Sequence, residues 1–209
     1  MYYKRVFKIQ VKVIDKLEKV TGTKYMDACY VNREFAAMIR MMSKDDKIIT
    51  SNDFLKMSKW ERLQLYLGMA KIMTELEKLK ALYNFMDYHD VIMQDGNPEK
   101  LIISDIYGII PKTFLEKQAK AHPDYYQIPP DVSAFEYYPK FLFYKFILNN
   151  EELFLNTSPL AKEQGLYPLE IRNFIQGMTS QKGGAAEMTR LFSEKIAAFE
   201  KEIKRAPEP

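Results

Sequence analysis

Two short segments carry the residue types that bind metal ions in proteins. The first is Asp87-Tyr-His-Asp90 and the second is His122-Pro-Asp124. Imidazole nitrogens and carboxylate oxygens together can hold Zn²⁺, or the iron of a centre with two histidines and one carboxylate. However, the spacing fits no metal-binding signature, and the first segment lies where a predicted helix ends, which is an ordinary place for charged groups. We therefore predict no metal and no cofactor.

The sequence has one cysteine and an adjacent pair of glutamates. Cys29 stands among mostly apolar residues in a predicted helix, which predicts a small buried thiol without a catalytic role. A single cysteine also excludes an internal disulfide and every site that needs several cysteines. Glu151 and Glu152 are neighbours in the chain, and adjacent residues of a helix do not face each other. We expect both carboxylates to be solvated.

The motifs of common enzyme classes are missing from the sequence. It has no G-x-S-x-G for a serine nucleophile, no G-x-x-x-x-G-K-[ST] or G-x-G-x-x-G for a nucleotide, and no H-E-x-x-H for zinc. Glycine accounts for 8 of 209 residues, which leaves few positions for a phosphate-binding loop. We predict no catalytic residues and a protein that is not an enzyme. An enzyme without a recognisable motif is kept as a third interpretation.

Positive charge is concentrated near the start of the chain. The whole sequence carries 31 basic and 28 acidic residues, a net of +3, which argues against a polybasic nucleic-acid binder. Residues 4–24 alone hold seven basic and two acidic residues, a net of +5 that leaves −2 for the remainder. The possible phosphate contacts in this segment are Lys4, Arg5, Lys8, Lys12, Lys16 and Lys19.

This basic segment has two interpretations. A lysine face on an amphipathic helix is most often solvated, but the same face can contact the phosphates of DNA or an anionic membrane surface. Base readout favours Arg, Asn and Gln, whereas this face is almost entirely lysine. A DNA-associated regulatory protein that uses residues 4–24 is therefore the alternative function, with nucleic acid a less favoured partner than protein.

Tyrosine and proline are concentrated in residues 122–139. Four prolines in these 18 residues exclude a regular long helix and predict an exposed, ordered loop. Tyrosines held by nearby prolines suit a preorganised protein interface, although a lid over the hydrophobic residues 141–148 is an equally favoured interpretation. The predicted interface residues are Tyr125, Tyr126, Tyr137, Tyr138 and, on a C-terminal helix, Phe192 and Phe199.

The remaining segments are predicted to be mostly helical. Residues 4–20 place apolar side chains at i+3 and i+4 spacing over four turns, which favours a helix, although part of the segment also alternates as a strand would. A second helix is predicted for residues 25–42. Ser58 and Glu61 form a capping box, and it begins a long helix over about residues 59–88 with a heptad seam of apolar residues. This seam needs a partner helix, in the same fold or in another subunit.

Later signals predict further helices. Asn97 and Pro98 are placed to begin a helix that runs to about Tyr107, and Pro111 opens another that ends near Ala121. Residues 141–148 form either a buried helix or a central strand, because periodicity does not decide between them. We predict a helical domain over residues 1–180.

The last predicted element is an amphipathic helix over about residues 185–205. It follows a joint at Gly183 and Gly184, and we expect it to pack on the same domain or on a neighbouring subunit. The predicted fold is thus mostly α, an irregular multi-helix bundle with one long heptad-patterned helix over about residues 59–88. It also has a Pro/Tyr-rich loop over residues 122–139 and this C-terminal helix.

These patterns together predict a non-enzymatic subunit or adaptor of a multi-protein assembly. A ring or connector component of a virus particle or a secretion machine would fit. The expected partners are other protein subunits, in a homo-oligomer or a larger assembly. No apolar run reaches the roughly 18 residues of a membrane span. The first residues lack the apolar stretch of a signal peptide, so the expected location is the cytoplasm or a particle assembled there.

Overall fold

The computed structural model describes residues 2–31, 36–39, 41–84, 88–104, 106–164 and 185–205. Most of the described residues are helical, as the composition predicts. The helices are α1 (Tyr2–Thr21), α2 (Ser51–Lys56), α3 (Lys59–Lys78), α4 (Lys112–Ala121), α5 (Pro123–Tyr126), α6 (Ala134–Thr157), α7 (Ala161–Gln164) and α8 (Ala185–Arg205). Within these ranges, no helix combines the length and the apolar character that a membrane span requires.

Short antiparallel strands complete the regular structure. They are β1 (Ala28–Val31), β2 (Ala36–Ile39), β3 (Lys47–Ile48), β4 (Ala81–Tyr83), β5 (Val91–Met93), β6 (Leu101–Ile103) and β7 (Ile109–Pro111). β1 pairs with β2, β4 pairs with β7, and β5 lies between β3 and β6. The residues of β4, β5 and β6 are buried, so these strands belong to the hydrophobic core beneath the helices.

The helix predicted for residues 4–20 is confirmed as α1. Its inner face buries apolar side chains, among them Phe7, Ile14 and Leu17. Gln10 lies on the same face, and its amide Nε2 donates hydrogen bonds to the backbone oxygens of Tyr107 and Ile109, at 3.2 and 2.9 Å. The Gln10 side chain therefore joins α1 to the segment that leads into β7.

The long helix predicted for residues 59–88 begins where its capping box indicates but is ten residues shorter. Ser58 and Glu61 cap the start of α3, and the first four seam residues of the heptad pattern are buried: Leu65, Met69, Ile72 and Leu76. The helix ends at Lys78 because Lys80 takes a left-handed φ of 56°. The chain then enters β4, which pairs with β7 and buries Tyr83.

Two further helix predictions are wrong, because short apolar runs form strands instead. Residues 25–42 contain β1 and β2, which pair so that Ala28 faces Ile39, and Cys29 is exposed and not a buried helical thiol. The helix predicted from Asn97 to Tyr107 is replaced by β6 and a 3₁₀ turn at Ile106–Gly108. Three- and four-residue apolar runs suit either structure, and pairing with a second strand decides between them.

The Pro/Tyr-rich loop predicted for residues 122–139 is only partly irregular. α5 lies inside it, and α6 begins at Ala134, so Pro139 lies within a helix. A proline removes one backbone hydrogen bond of a helix. α6 tolerates this loss because many of its apolar side chains pack in the core, among them Phe135, Leu142, Phe143 and Phe146. The hydrophobic residues 141–148 are thereby assigned to a buried helix.

α8 packs along α3 through polar and small residues. The hydroxyls of Thr74 and Thr189 are hydrogen-bonded at 2.7 Å, and Thr189 also donates to the backbone oxygen of Ala70 at 2.9 Å. Glu77 accepts a hydrogen bond from the backbone N–H of Ala186 near the start of α8. α3 therefore has a helical neighbour within the same chain. The predicted joint at residues 183–184 and the domain end at residue 180 lie outside the described residues.

A fully buried ion pair joins α3 to α6. Arg62 Nε lies 3.1 Å from Glu151 Oε1, and the two side chains are 0% and 1% exposed. Arg62 also donates to the backbone oxygen of Met57 at 2.6 Å, and its guanidinium carbon lies 3.4 Å from the ring centroid of Phe154. The expectation that Glu151 is solvated is wrong. On α6, residue 151 faces the core, whereas Glu152 is exposed.

Within the described residues, the two carboxylate oxygens of Glu151 differ in their hydrogen bonding. Tyr66 Oη donates to Glu151 Oε1, which also accepts from Arg62, whereas Glu151 Oε2 has no hydrogen-bond donor within the described residues. Burial raises the pKa of Glu151, and the attraction of Arg62 opposes this shift without cancelling it. Burial of these two charges costs desolvation free energy, and removal of either side chain would leave the other charge unpaired in the core.

Asp53 links β3 to the start of α2. It forms a capping box with Thr50 and an ion pair with Lys47, whose Nζ lies 2.6 Å from Asp53 Oδ1. Hydrogen bonds from Lys47 and Thr50 lower the pKa of Asp53 from 3.8 to about 2. Because the folded-state pKa is depressed, the ionised carboxylate stabilises the fold above pH 3.8, and this contribution is lost as the pH falls toward 2.

Asp53→Asn is therefore expected to destabilise the protein in a pH-dependent way. At pH 7 we expect a loss of about 1 kcal/mol in the free energy of unfolding, as for other helix N-terminal caps. The deficit should shrink between about pH 4 and pH 2, where wild-type Asp53 becomes protonated. Urea unfolding over this pH range measures it, with the exposed Asp131→Asn as the control. A deficit that stays constant down to pH 2 would contradict this assignment.

Candidate protein-interaction surface

The predicted interface tyrosines are carried by the end of α5 and the start of α6. α5 begins with Pro123, whose fixed φ and missing N–H suit the first helical position. It is followed by Gln127, which has a left-handed φ of 45° and redirects the chain. α6 begins after Ser133, whose side chain forms a capping box with Glu136. These local signals set both ends of α5 and the start of α6, and the two tyrosine pairs meet between the two helices.

The four tyrosine rings form one continuous cluster. The ring centroid of Tyr126 lies 5.2 Å from that of Tyr125 and 5.1 Å from that of Tyr138. The rings of Tyr137 and Tyr138 are 6.3 Å apart. These separations fall within the range of about 4.5–7 Å that favourable aromatic pairs adopt. We call Tyr125, Tyr126, Tyr137 and Tyr138 the tyrosine cluster.

Phe141, which was not predicted as an interface residue, extends the cluster along α6. Its ring stacks on that of Tyr137 at 5.7 Å with an interplanar angle of 17°, and it lies 5.9 Å from the ring of Tyr138. Lys145 Nζ lies 5.9 Å from the Phe141 centroid, near the outer limit of a cation–π contact. Residues 137, 141 and 145 repeat at i+4, and this spacing was the available signal.

The tyrosine cluster has an inner and an outer part. Tyr126 and Tyr138 pack against the hydrophobic core, whereas Tyr125 is 79% exposed. Burial, with a smaller contribution from neighbouring tyrosines, raises the pKa of both Tyr126 and Tyr138. A tyrosine hydroxyl is protonated at neutral pH even without this shift, so both hydroxyls can donate hydrogen bonds. The lid interpretation fits the two inner rings, and the interface interpretation fits Tyr125.

The other two predicted interface residues belong to a different element. Phe192 and Phe199 lie on α8, whose backbone is described from Ala185 to Arg205. Their side chains fall outside the part of the chain that the structure describes. Their place in an interface stays a prediction.

The predicted phosphate contacts all fall on α1. Lys8, Lys12, Lys16 and Lys19 are exposed. The backbone of Lys4 and Arg5 continues the helix, but their side chains are outside the described residues. α1 thus presents a lysine face on the side opposite to its core contacts.

The candidate metal ligands do not assemble into a site in the described part of the chain. No group of three or more His, Cys, Asp or Glu side chains there is arranged to hold a metal ion. His89 and His122 are both exposed, and Asp87 lies outside the described residues. Arg62 and Glu151 have the residue types of a catalytic pair, but a substrate cannot reach them unless the core opens.

A cleft of about 620 Å³ lies where α1, α3, α8 and the β5–β6 connection meet. Gly68 on α3 lets this connection approach closely, since a Cβ there would lie 3.0 Å from Leu101 Cδ1 and 3.1 Å from the backbone oxygen of Glu99. The lining carries charges of both signs. Lys71, for example, lies 3.7 Å from the Glu99 carboxylate across the rim. Because both signs of charge line the cleft, the lining does not indicate whether a ligand would be an anion or a cation.

Comparison with known proteins adds no constraint on these surfaces. No protein-family model matches this chain, and no curated protein matches its sequence.

Proposed function

We propose that this protein is a non-enzymatic interaction component that assembles with other protein subunits through the tyrosine cluster. The observation that carries the proposal is the exposed Tyr125 ring, which rests on Tyr126, itself packed against the core. The proposed setting is the cytoplasm or a particle assembled there, such as a ring or connector.

The physical basis is the low cost of ordering these side chains. A tyrosine has few rotatable bonds and a large ring, so it contributes much contact area for little conformational entropy. The ring contacts within the tyrosine cluster already restrain Tyr125 and Tyr126 before any partner binds. Such preorganisation lowers the free-energy cost of association.

The proposed partner is a second copy of this chain. A cluster of adjacent tyrosines can pack against its own symmetry mate, because rings stack and interleave with rings, and a two-fold interface brings the same patch to both subunits. The hydroxyls of Tyr126 and Tyr138 can donate hydrogen bonds across this interface.

Tyr125→Ala is expected to weaken self-association about a thousandfold, because removal of an aromatic anchor typically costs about 2 kcal/mol of binding free energy and a two-fold interface loses the anchor from both subunits. Light scattering coupled to size-exclusion chromatography over a concentration series measures the dissociation constant. Tyr30→Ala is the matched control, since Tyr30 is also an exposed tyrosine, at 53%, but lies on β1.

Two results would refute this proposal. The first is a wild-type chain that remains monomeric up to millimolar concentration. The second is an oligomer whose dissociation constant changes equally in the Tyr125→Ala and Tyr30→Ala variants, which would place the contact elsewhere. Circular dichroism of both variants checks that the fold is retained.

A further inference from the structure

The exposed face of α1 carries a row of lysines. Lys8, Lys12, Lys16 and Lys19 succeed one another at intervals of four, four and three residues, so they lie on one side of the helix. All four are exposed, while Phe7, Ile14 and Leu17 face the core. We call these four residues the lysine row.

The positive charge of the lysine row is largely uncompensated. None of its members forms an ion pair with a carboxylate of the described residues. Glu18 does not pair with the lysine row. Its Oε1 accepts hydrogen bonds at 2.7 Å from the backbone N–H groups of Tyr25 and Met26. Asp15 is exposed beside the row, three residues after Lys12 and four before Lys19, and offsets part of its charge.

We propose that the lysine row binds the phosphate backbone of double-stranded nucleic acid without sequence preference. This surface goes beyond the proposed self-association and involves none of the same residues. The row spans about 16 Å along the helix axis. A duplex presents one negative charge per roughly 1.7 Å of its axis, so each ammonium group can face a phosphate.

The structure favours a duplex over a membrane for this surface. An amphipathic helix binds a membrane by burying its apolar face among the lipid chains. The apolar face of α1 is occupied by the core of its own fold. What remains outside is the cationic face, which suits a polyanion whose surface is made of phosphates. Residues 8–19 contain no arginine or asparagine, and Gln10 is buried, so we expect contact with the backbone and no readout of bases.

The test measures binding of the full chain to two fluorescent duplexes of unrelated sequence. We expect equal affinity for both, and an affinity that falls about a hundredfold between about 50 and 200 mM salt if all four lysines contact phosphates. Lys16→Gln/Lys19→Gln should weaken binding to both duplexes equally and reduce the slope of log K against log salt by about 2.

A matched control removes the same charge from another helix. Lys117→Gln/Lys120→Gln changes two exposed lysines of α4 at the same i, i+3 spacing near the helix end, and it should leave both affinity and slope unchanged. Equal losses in the two double variants would overturn the proposal, because the effect would then follow net charge and not the lysine row. Absence of saturable duplex binding at about 50 mM salt would also overturn it, whether or not vesicles with anionic lipid are bound.

Discussion

Arg62→Met is expected to lower the free energy of unfolding by about 3–5 kcal/mol, because it leaves the Glu151 carboxylate buried without its cation. Arg62 and Glu151 are both almost fully inaccessible to solvent, and Glu151 Oε2 has no donor of its own among the described residues. Urea or thermal unfolding at pH 7 measures the loss. The exposed Arg190→Met is the matched control and should cost at most about 0.5 kcal/mol, although Arg190 also forms ion pairs.

The loss from Arg62→Met should depend on pH in a defined direction. The pKa of Glu151 is raised by burial even with Arg62 present, and removal of the cation raises it further. A carboxyl with a raised folded-state pKa favours the fold when protonated, so its unfavourable contribution grows as the pH rises above the unfolded value of 4.5. The variant should therefore be closer to wild type at pH 5 than at pH 7.

A double variant separates the cost of an orphaned charge from the cost of lost packing. Arg62→Met/Glu151→Gln removes both charges and keeps a side-chain oxygen that can accept a hydrogen bond from the Tyr66 hydroxyl. We expect it to recover most of the stability lost in the single variant, since a buried ion pair is often no better than neutral groups of similar volume. A double variant as unstable as Arg62→Met would show that the arginine acts mainly by filling space.

Phe54→Ala is expected to cost about 3–5 kcal/mol, the range for truncation of a buried aromatic residue. Phe54 is fully buried on α2, and its ring stacks on Tyr88 at 4.6 Å with an interplanar angle of 7°. It also meets Phe154 edge-on at 6.4 Å. A helix of six residues is too short to be stable alone, so α2 depends on this anchor more than a long helix would.

Unfolding in urea measures the effect of Phe54→Ala, with Leu155→Ala as the control. Leu155 is 45% exposed on α6, next to Phe154 in the chain, and its truncation should change the free energy of unfolding by about 0.5 kcal/mol or less. A small loss for Phe54→Ala would mean that α2 and its neighbours close over the cavity. The double variant with Arg62→Met should be non-additive, because both side chains contact the Phe154 ring.

The candidate interface was partly accessible from sequence. The clustering of tyrosine and proline singled out Tyr125, Tyr126, Tyr137 and Tyr138, and these four rings lie together in the fold. Phe141 was not predicted, because periodicity leaves residues 141–148 open as a helix or a strand, and its i+4 spacing from Tyr137 matters only in a helix. Its position became clear only once α6 was known to begin at Ala134, which places residues 137 and 141 one above the other.

The buried charges were not accessible from sequence at all. Glu151 and Glu152 are chemically identical neighbours, and either could have been the solvated one. Which of them enters the core depends on the rotation of α6 about its own axis, and this is set by packing against α3. The sequence contains Arg62 as its partner, but 89 residues separate the two in the chain, and no local pattern connects them.

What the sequence by itself determined was the helical class and the positions at which several helices begin. Capping residues, proline at the first turn and i+3/i+4 periodicity act within a few residues, so α1, α4, α8 and the start of α3 could be located without knowledge of the fold. The tertiary structure decided whether the short apolar runs form helices or strands. Residues 28–31, 81–83 and 101–103 are strands because each is hydrogen-bonded to an antiparallel strand. A local sequence pattern does not show this pairing, because it depends on residues outside the run.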